Sequence, residues 1–270
     1  MLRASMLLGL TISLLGIADS HAQFYGKERF EVASADQFLA AVGSDRTIVI
    51  TPPVLTLSGI ADKKHPNIRR DGEAITIIGV KNLRVQSGQA GPSEIVALSD
   101  GFVLAFEKCQ NFELRNLTFR HERPDGKCTS AVLGFVSCTN TLVRACQLTG
   151  CGTEGLTLSR VDRFQGRDLT IRNCTMGILS VQHSRNLIFR ESRFERNGKL
   201  YGIDIQKSYG IELNNCIFAD NRIDGDLIAA TDSGKITVSA GELTGNRYRR
   251  LRNDETAIRI SDLKGLGQKQ

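Results

Sequence analysis

The chain has 270 residues, with 35 Lys and Arg against 29 Asp and Glu for a net charge of +6, no Trp and seven Cys. No apolar run reaches the ~20 residues needed to span a bilayer, and no long block of like charge interrupts the chain. A nucleotide-binding glycine loop, a hydrolase nucleophile elbow and an HExxH helix are all missing, which argues against those enzyme classes.

At the N-terminus, Arg3 precedes a short apolar run over residues 6–15, and Ser20 and Ala22 place small residues at −3 and −1. This reads as a secretory signal peptide over residues 1–22, cleaved before Gln23, which sends the protein to the periplasm or outside the cell. The rest (270 − 22 = 248 residues) is enough for one domain over residues 23–263, with a flexible tail at 264–270. Export would expose the cysteines to an oxidising compartment, and an odd number leaves at least one unpaired within a monomer.

Further on, Ser34-Ala35-Asp36-Gln37 is a capping-box signal ahead of residues 38–42, so a short amphipathic helix is expected to cover the N-terminal end of the domain. Residues 47–50 and 54–57 read as the first strands, with 75–78 and 83–85 as the next pair. A repeat then dominates. The pattern of residues 112–119 returns at 141–148, 164–171, 187–194, 211–218 and 236–243, with start-to-start spacings of 29, 23, 23, 24 and 25 residues. An earlier copy begins at Leu83. Each copy follows a second alternation: Leu104/Phe106, Leu133/Phe135, Leu156/Leu158, Leu179/Val181, Ile203/Ile205 and Ile228/Ala230. Period-2 alternation marks strands with one buried face, and recurrence at a fixed period marks a solenoid.

One coil buries about five apolar side chains, roughly 10 kcal/mol, and ordering its ~23 residues costs at least as much. Only a stack is stable. Asn173, Asn197, Asn221 and Asn246 recur at intervals of 24, 24 and 25 residues, which suits left-handed turns and a stacked ladder. Residues 257–260 read as a last strand.

With the helix, the coil pattern and the segments 126–133 and 151–155, the chain resembles the right-handed parallel β-helix superfamily, pectate lyase-like, over about residues 31–263. The resemblance implies an all-β, single-stranded solenoid. It also implies a polysaccharide partner laid across a strand face, since superfamily enzymes generally act there. Their calcium-binding acidic cluster is not recognisable, so no cofactor is assigned and calcium is left open.

Registering the coils sorts the outward positions into columns. Thr157, Ser180 and Asp204 fall in one, Ser159, Gln182 and Gln206 in the next, and Arg160, His183 and Lys207 at the following turn. Coils ~4.8 Å apart would join them into one polar patch. A uronate lyase needs a base and a cation near the sugar carboxylate; His183 would be the base and Lys207 or Arg160 the cation. A hydrolase would draw on Asp204, with Glu154 and Asp226 in adjoining loops. His121, in a long loop at 120–127, is a further catalytic candidate. The competing reading is an ordinary solvated sheet face.

Arg115, Arg144, Arg167 and Arg190 form a second outward column suited to an anionic polymer. A salt-bridged or solvated face competes here too, with Glu113, Asp168 and Glu191 close enough to offset charge. Among the cysteines, stacked inert thiols are the default. A Cys128–Cys151 bridge is the exception, because adjacent coils bring their Cα atoms within disulfide range.

Three functions are compatible with this pattern: an enzyme on an acidic glycan, lyase or epimerase; a non-catalytic glycan-binding or structural envelope protein; or a periplasmic accessory β-helix protein. Nucleic acid is not expected as a partner, nor is membrane insertion after signal cleavage, and a monomer is expected.

Overall fold

The computed structural model describes residues 27–59, 64–122, 128–150 and 152–266. The expected signal peptide and the last four residues lie outside them. Three strand faces wind around one core. The first is a nine-stranded sheet holding Ala74–Ile78, Leu104–Glu107, Leu133–Val136, Leu156–Ser159, Leu179–Gln182, Ile203–Gln206 and Asp226–Thr231 in parallel. The second and third belong to one sixteen-stranded sheet bent around a corner. On the second lie Gln110–Arg115, Arg185–Arg190, Tyr209–Asn214, Gly234–Ser239 and Ile258–Ser261. The third carries Leu117–His121, Arg193–Glu195, Ile217–Ala219 and Glu242–Thr244, and the eleven-residue strands Thr139–Thr149 and Asp162–Arg172 run over both. This is a right-handed parallel β-helix.

The pairing obeys the repeat residue by residue. Phe112 pairs with Thr141, Thr141 with Phe164, Phe164 with Leu187, Leu187 with Ile211 and Ile211 with Ile236. Their side chains are buried in a single core. Phenylalanines from different faces meet inside it. Contacts pass from Phe106 and Phe135 (centroids 5.2 Å apart) through Phe164, Phe189 and Phe194 to Phe218. This spine crosses between faces, so no single strand pattern displays it.

Corners are turned by residues in the left-handed region. Between the first and second faces these are Lys108, Ser137, Arg160, His183, Lys207 and Asp232, with φ between 48° and 54°. The next corner uses Asn116, Ala145, Asp168, Glu191, Asn215 and Ala240. A non-glycine residue there costs roughly 1–2 kcal/mol, and the interstrand bonds on either side hold it in place. An outer ladder, not foreseen, adds support: Asn140 donates to Asn111, Asn111 to Asn82 and Asn82 to Asp45, all four at positive φ.

The buried asparagine ladder starts one coil later than expected. Asn221 Nδ2 donates to the Phe194 carbonyl at 2.8 Å, and its Oδ1 accepts from the Asn197 backbone at 3.0 Å. Asn246 holds Asn221 in the same way, and Asn197 accepts from the Cys174 backbone. Asn173 is not a member. Its φ of 57° puts it in the corner column of Arg196, Asp220 and Gly245, one residue away, and the ladder position on its coil belongs to Cys174.

At the N-terminal end, the helix Ala35–Ala41 has Ser34 as its cap, accepting from the Gln37 backbone, and buries Phe38 and Ala41. Gln37 reaches back to the Ala33 N–H, one residue beyond the usual partner. Ile68–Asp71 and Ala74–Ile78 form an unexpected antiparallel hairpin that pairs the outer edge of the first face. Asp71-Gly72, with Gly72 at φ +58°, is its sequence signal.

The ladder makes a measurable distinction. Asn221→Ala strands a buried carbonyl and a buried N–H and should lower unfolding stability by about 2–4 kcal/mol in urea titrations. Asn173→Gly, which keeps the corner conformation, should change it by less than about 1 kcal/mol.

Candidate functional site

The first face gathers the predicted patch but arranges it differently. Thr157 pairs with Ser180 and Ser180 with Asp204, as the repeat implies, and Gln182 pairs with Gln206. Ser180 is buried, so it belongs to the floor. One coil before Thr157 the Phe102 ring lies against Gly134, where a Cβ would stand 2.7 Å from it. Arg160, His183 and Lys207 occupy left-handed corners with exposed side chains. Among the described residues none of the three has a side-chain hydrogen bond or ion pair. The expected base and cations therefore border the face.

The bonded centre of the patch is Glu154. Its Oε1 accepts from Thr157 Oγ1 at 2.8 Å and its Oε2 from the Tyr201 hydroxyl at 3.1 Å. Gln206 Nε2 donates to Asp204 Oδ2 at 2.7 Å. Burial pushes the Tyr201 hydroxyl well above its usual pKa, reinforced by the charge and hydrogen bond of Glu154 and the charge of Asp204. Tyr201 is thus a proton-bearing donor, not a base. Sequence reasoning missed it because it sits between strands, outside the alternation. Its signal was Gly177, since the Tyr201 ring fills the space a Cβ there would need, at 2.2 Å.

His121 is not an open-loop residue. It ends the strand Leu117–His121, is 5% exposed, and donates from Nε2 to the Gly101 carbonyl at 2.7 Å. Among the described residues its Nδ1 has no partner, and burial lowers its pKa. Residues 123–127 of that segment lie outside the described residues.

The arginine column is in register: Arg115 pairs with Arg144, Arg144 with Arg167 and Arg167 with Arg190. Glu113, with a side chain only 3% exposed, is clamped by Arg84 at 2.7 Å and Arg144 at 3.0 Å. Arg115 and Arg190 have no ion pair among the described residues. Asp168 and Glu191, expected to offset the column, stand exposed on left-handed corners, and among the described residues neither pairs with Arg115, Arg144 or Arg190.

The Glu113 arrangement recurs. Asp162 carries Arg163 and Arg185, Glu195 carries Arg193 and Arg196, Asp226 carries Arg249 and Arg250, and Glu107 carries Arg69 and Lys108. Each acid is largely covered while its cations stay exposed, so each cluster shows solvent one net positive charge. Hydrogen bonds from Arg250 and Arg249 lower the Asp226 pKa, and those from Lys108 and Arg69 lower that of Glu107. At Asp162 and Glu195 burial pushes upward, but bonds from Asn186 and Arg185, and from Arg193 with the charge of Arg196, outweigh it.

Cys109, Cys138, Cys146, Cys174 and Cys216 are free and buried, and Cys128 is disulfide-bonded. Cys151, its expected partner, lies outside the described residues. Burial pushes the Cys146 thiol up to about 12 and the Cys216 thiol to about 11, which leaves both unreactive near neutral pH. Among the described residues no group of three His, Cys, Asp or Glu is placed to hold a metal ion.

A family model described as a right handed beta helix region matches residues 102–262. The solved pectate lyase Pel9A shares the fold at a TM-score of 0.54 and 9% identity, covering 88% of this chain and 78% of that one. A periplasmic alginate epimerase, AlgG, solved as a double mutant, aligns at a TM-score of 0.47 and 12% identity, over 88% of this chain and 72% of its own. A polygalacturonase from Erwinia carotovora aligns at 0.46 and 11%, over 87% and 82%. No sequence among curated proteins matches the chain.

Two outcomes are expected. The lowered carboxylate pKa values stabilise the fold above the ordinary carboxylate range, and that contribution is lost as pH falls through them. Melting temperature should hold from about pH 8 to 5 and drop below about pH 4, with a shallower drop in Asp226→Asn. Denatured, unreduced protein should take up iodoacetamide at the five free thiols and, once reduced, at all seven cysteines. Mass spectrometry counts both.

Proposed function

We propose that this chain, which belongs to the right-handed β-helix family, is an exported protein that binds an acidic polysaccharide along its arginine column. The observation that carries this reading is registration. Arg115, Arg144, Arg167 and Arg190 stand on four consecutive coils, and Glu113, the acid paired with Arg144, is sunk beneath Arg144 and Arg84. Four coils at ~4.8 Å span about 14 Å, and guanidinium groups match the planar geometry of carboxylates. The likeness to a pectate lyase supports a polysaccharide as the class of polymer.

A second reading, a lyase or epimerase acting on the first face, draws on the Glu154–Tyr201 pair beside Asp204. In that reading Tyr201, whose one proton is given to Glu154, holds that carboxylate beside the sugar, and His183, Lys207 or Arg160 must swing in from the corner to move the C5 proton.

Arg115→Ala with Arg190→Ala is the informative double variant, because neither side chain shields a buried acid. Retention on pectate or alginate should weaken at least about tenfold and fall steeply with salt; unchanged retention at low salt removes the column from the binding surface. The enzymatic reading predicts new ultraviolet absorbance from an unsaturated uronate in a polymer screen, and a flat trace rejects a lyase.

A further inference from the structure

The corner at which the third face ends holds a groove that neither surface above uses. It encloses about 620 Å³, and its rim carries Arg196, Lys199, Arg222 and a single acid, Asp220. Arg196 is already engaged, donating to Glu195 Oε1 at 2.5 Å and to Asn173 Oδ1 at 3.4 Å. Lys199 and Arg222 are different. Both are exposed, and among the described residues neither side chain has a hydrogen bond or an ion pair.

The two lie on the short paired strands Gly198–Lys199 and Arg222–Ile223, where Arg222 pairs with Gly198 and Lys199 with Ile223, so they stand diagonally, one coil and one residue apart, and both line the groove. Between them Gly198 leaves a notch, where an added Cβ would come 3.1 Å from the Arg222 carbonyl. The floor is Cys174 and Asn197, both buried, with the Asn197 amide committed to the ladder. Thr175, which donates its hydroxyl to the Gly152 carbonyl, and Asn173, which accepts from Arg196, complete the lining, and the two rim cations are its positively charged groups without a partner among the described residues. Elsewhere on this surface a covered carboxylate takes up paired cations; here two cations face an open concavity with no such partner among the described residues.

We propose that this groove is a binding site for an oxyanion, a carboxylate, sulfate or phosphate group, held between Lys199 and Arg222. It is a site apart from the arginine column and does not depend on that column binding polymer. The group can arrive as a free inorganic ion or as a substituent on a sugar chain, and the chemistry of recognition is the same.

The test is titration calorimetry of the full chain at low ionic strength with three probes: sodium sulfate, sodium phosphate and an oligogalacturonate of defined length. At least one probe should bind with one-to-one stoichiometry. Lys199→Ala with Arg222→Ala should weaken it at least about tenfold, and the uncharged Lys199→Gln with Arg222→Gln pair should show the same loss while keeping side-chain bulk. The Arg115→Ala and Arg190→Ala protein should retain it. Saturation by the inorganic ions assigns the site to a free ion; saturation by the oligosaccharide alone assigns it to a pendant group. Absence of binding in the unmodified protein overturns the proposal, as does binding that survives in both groove variants. Loss confined to the Arg115 and Arg190 variant would likewise overturn it, while leaving the column reading intact.

Discussion

A chain that closes a coil in about two dozen residues must reverse direction sharply several times, and here it does so through single residues held at positive φ. Among the described residues, twenty-three non-glycine residues take that conformation, and Arg160, Lys207, Glu191 and Ala240 among them do not favour it intrinsically. What holds them is the parallel ladder on either side. Strand pairing fixes where each corner falls, and each corner fixes where the next strand begins. A corner shifted by one residue would turn a buried file outward. All the columns inherit their alignment from this constraint.

Alignment then governs electrostatics. Once side chains recur every coil, like charges stack at short range, and at such separations they repel by about 1 kcal/mol per pair even in water. Sinking one carboxylate under two cations relieves the repulsion locally and leaves the outer layer positive. A net charge of +6 is modest in sequence, but the folded surface concentrates it, because Glu113, Glu195 and Asp226 are buried while their partners are not.

Most of the architecture was legible because period-2 alternation encodes both strand and register, and the same positions that name Phe112 and Leu187 as interior name Arg115 and Arg190 as exterior. What escaped lies where that period stops. Asn173 looked like a ladder member because the interval of 24 residues fits it as well as it fits Asn221. Only backbone conformation separates the corner from the ladder position next to it. Tyr201 belongs to a connecting segment, and its role depends on space left by Gly177 one coil earlier, a relation between two turns that no strand pattern carries. Ser180 and His121 look polar and accessible in sequence yet are buried, since what covers them comes from elsewhere in the stack. The hairpin at residues 68–78 had a sufficient turn signal in Asp71-Gly72, and the pull of the repeat obscured it.

The side chains next to the corners share one further property. Asn197, Asn221, Asn246 and Asn253 each take a backbone N–H and give to a backbone carbonyl on the coil that precedes them. Ser184, Ser192, Ser208 and Ser233 likewise accept from the preceding coil. Every such clasp reaches back toward the amino end, onto the backbone of the preceding coil. From residue 161 to 253 the stack is therefore polar, each coil fastened by side chains of the coil that follows it. Shortening it from the carboxyl end leaves every remaining clasp engaged, whereas removing early coils leaves the clasps of the next coil with nothing to grip.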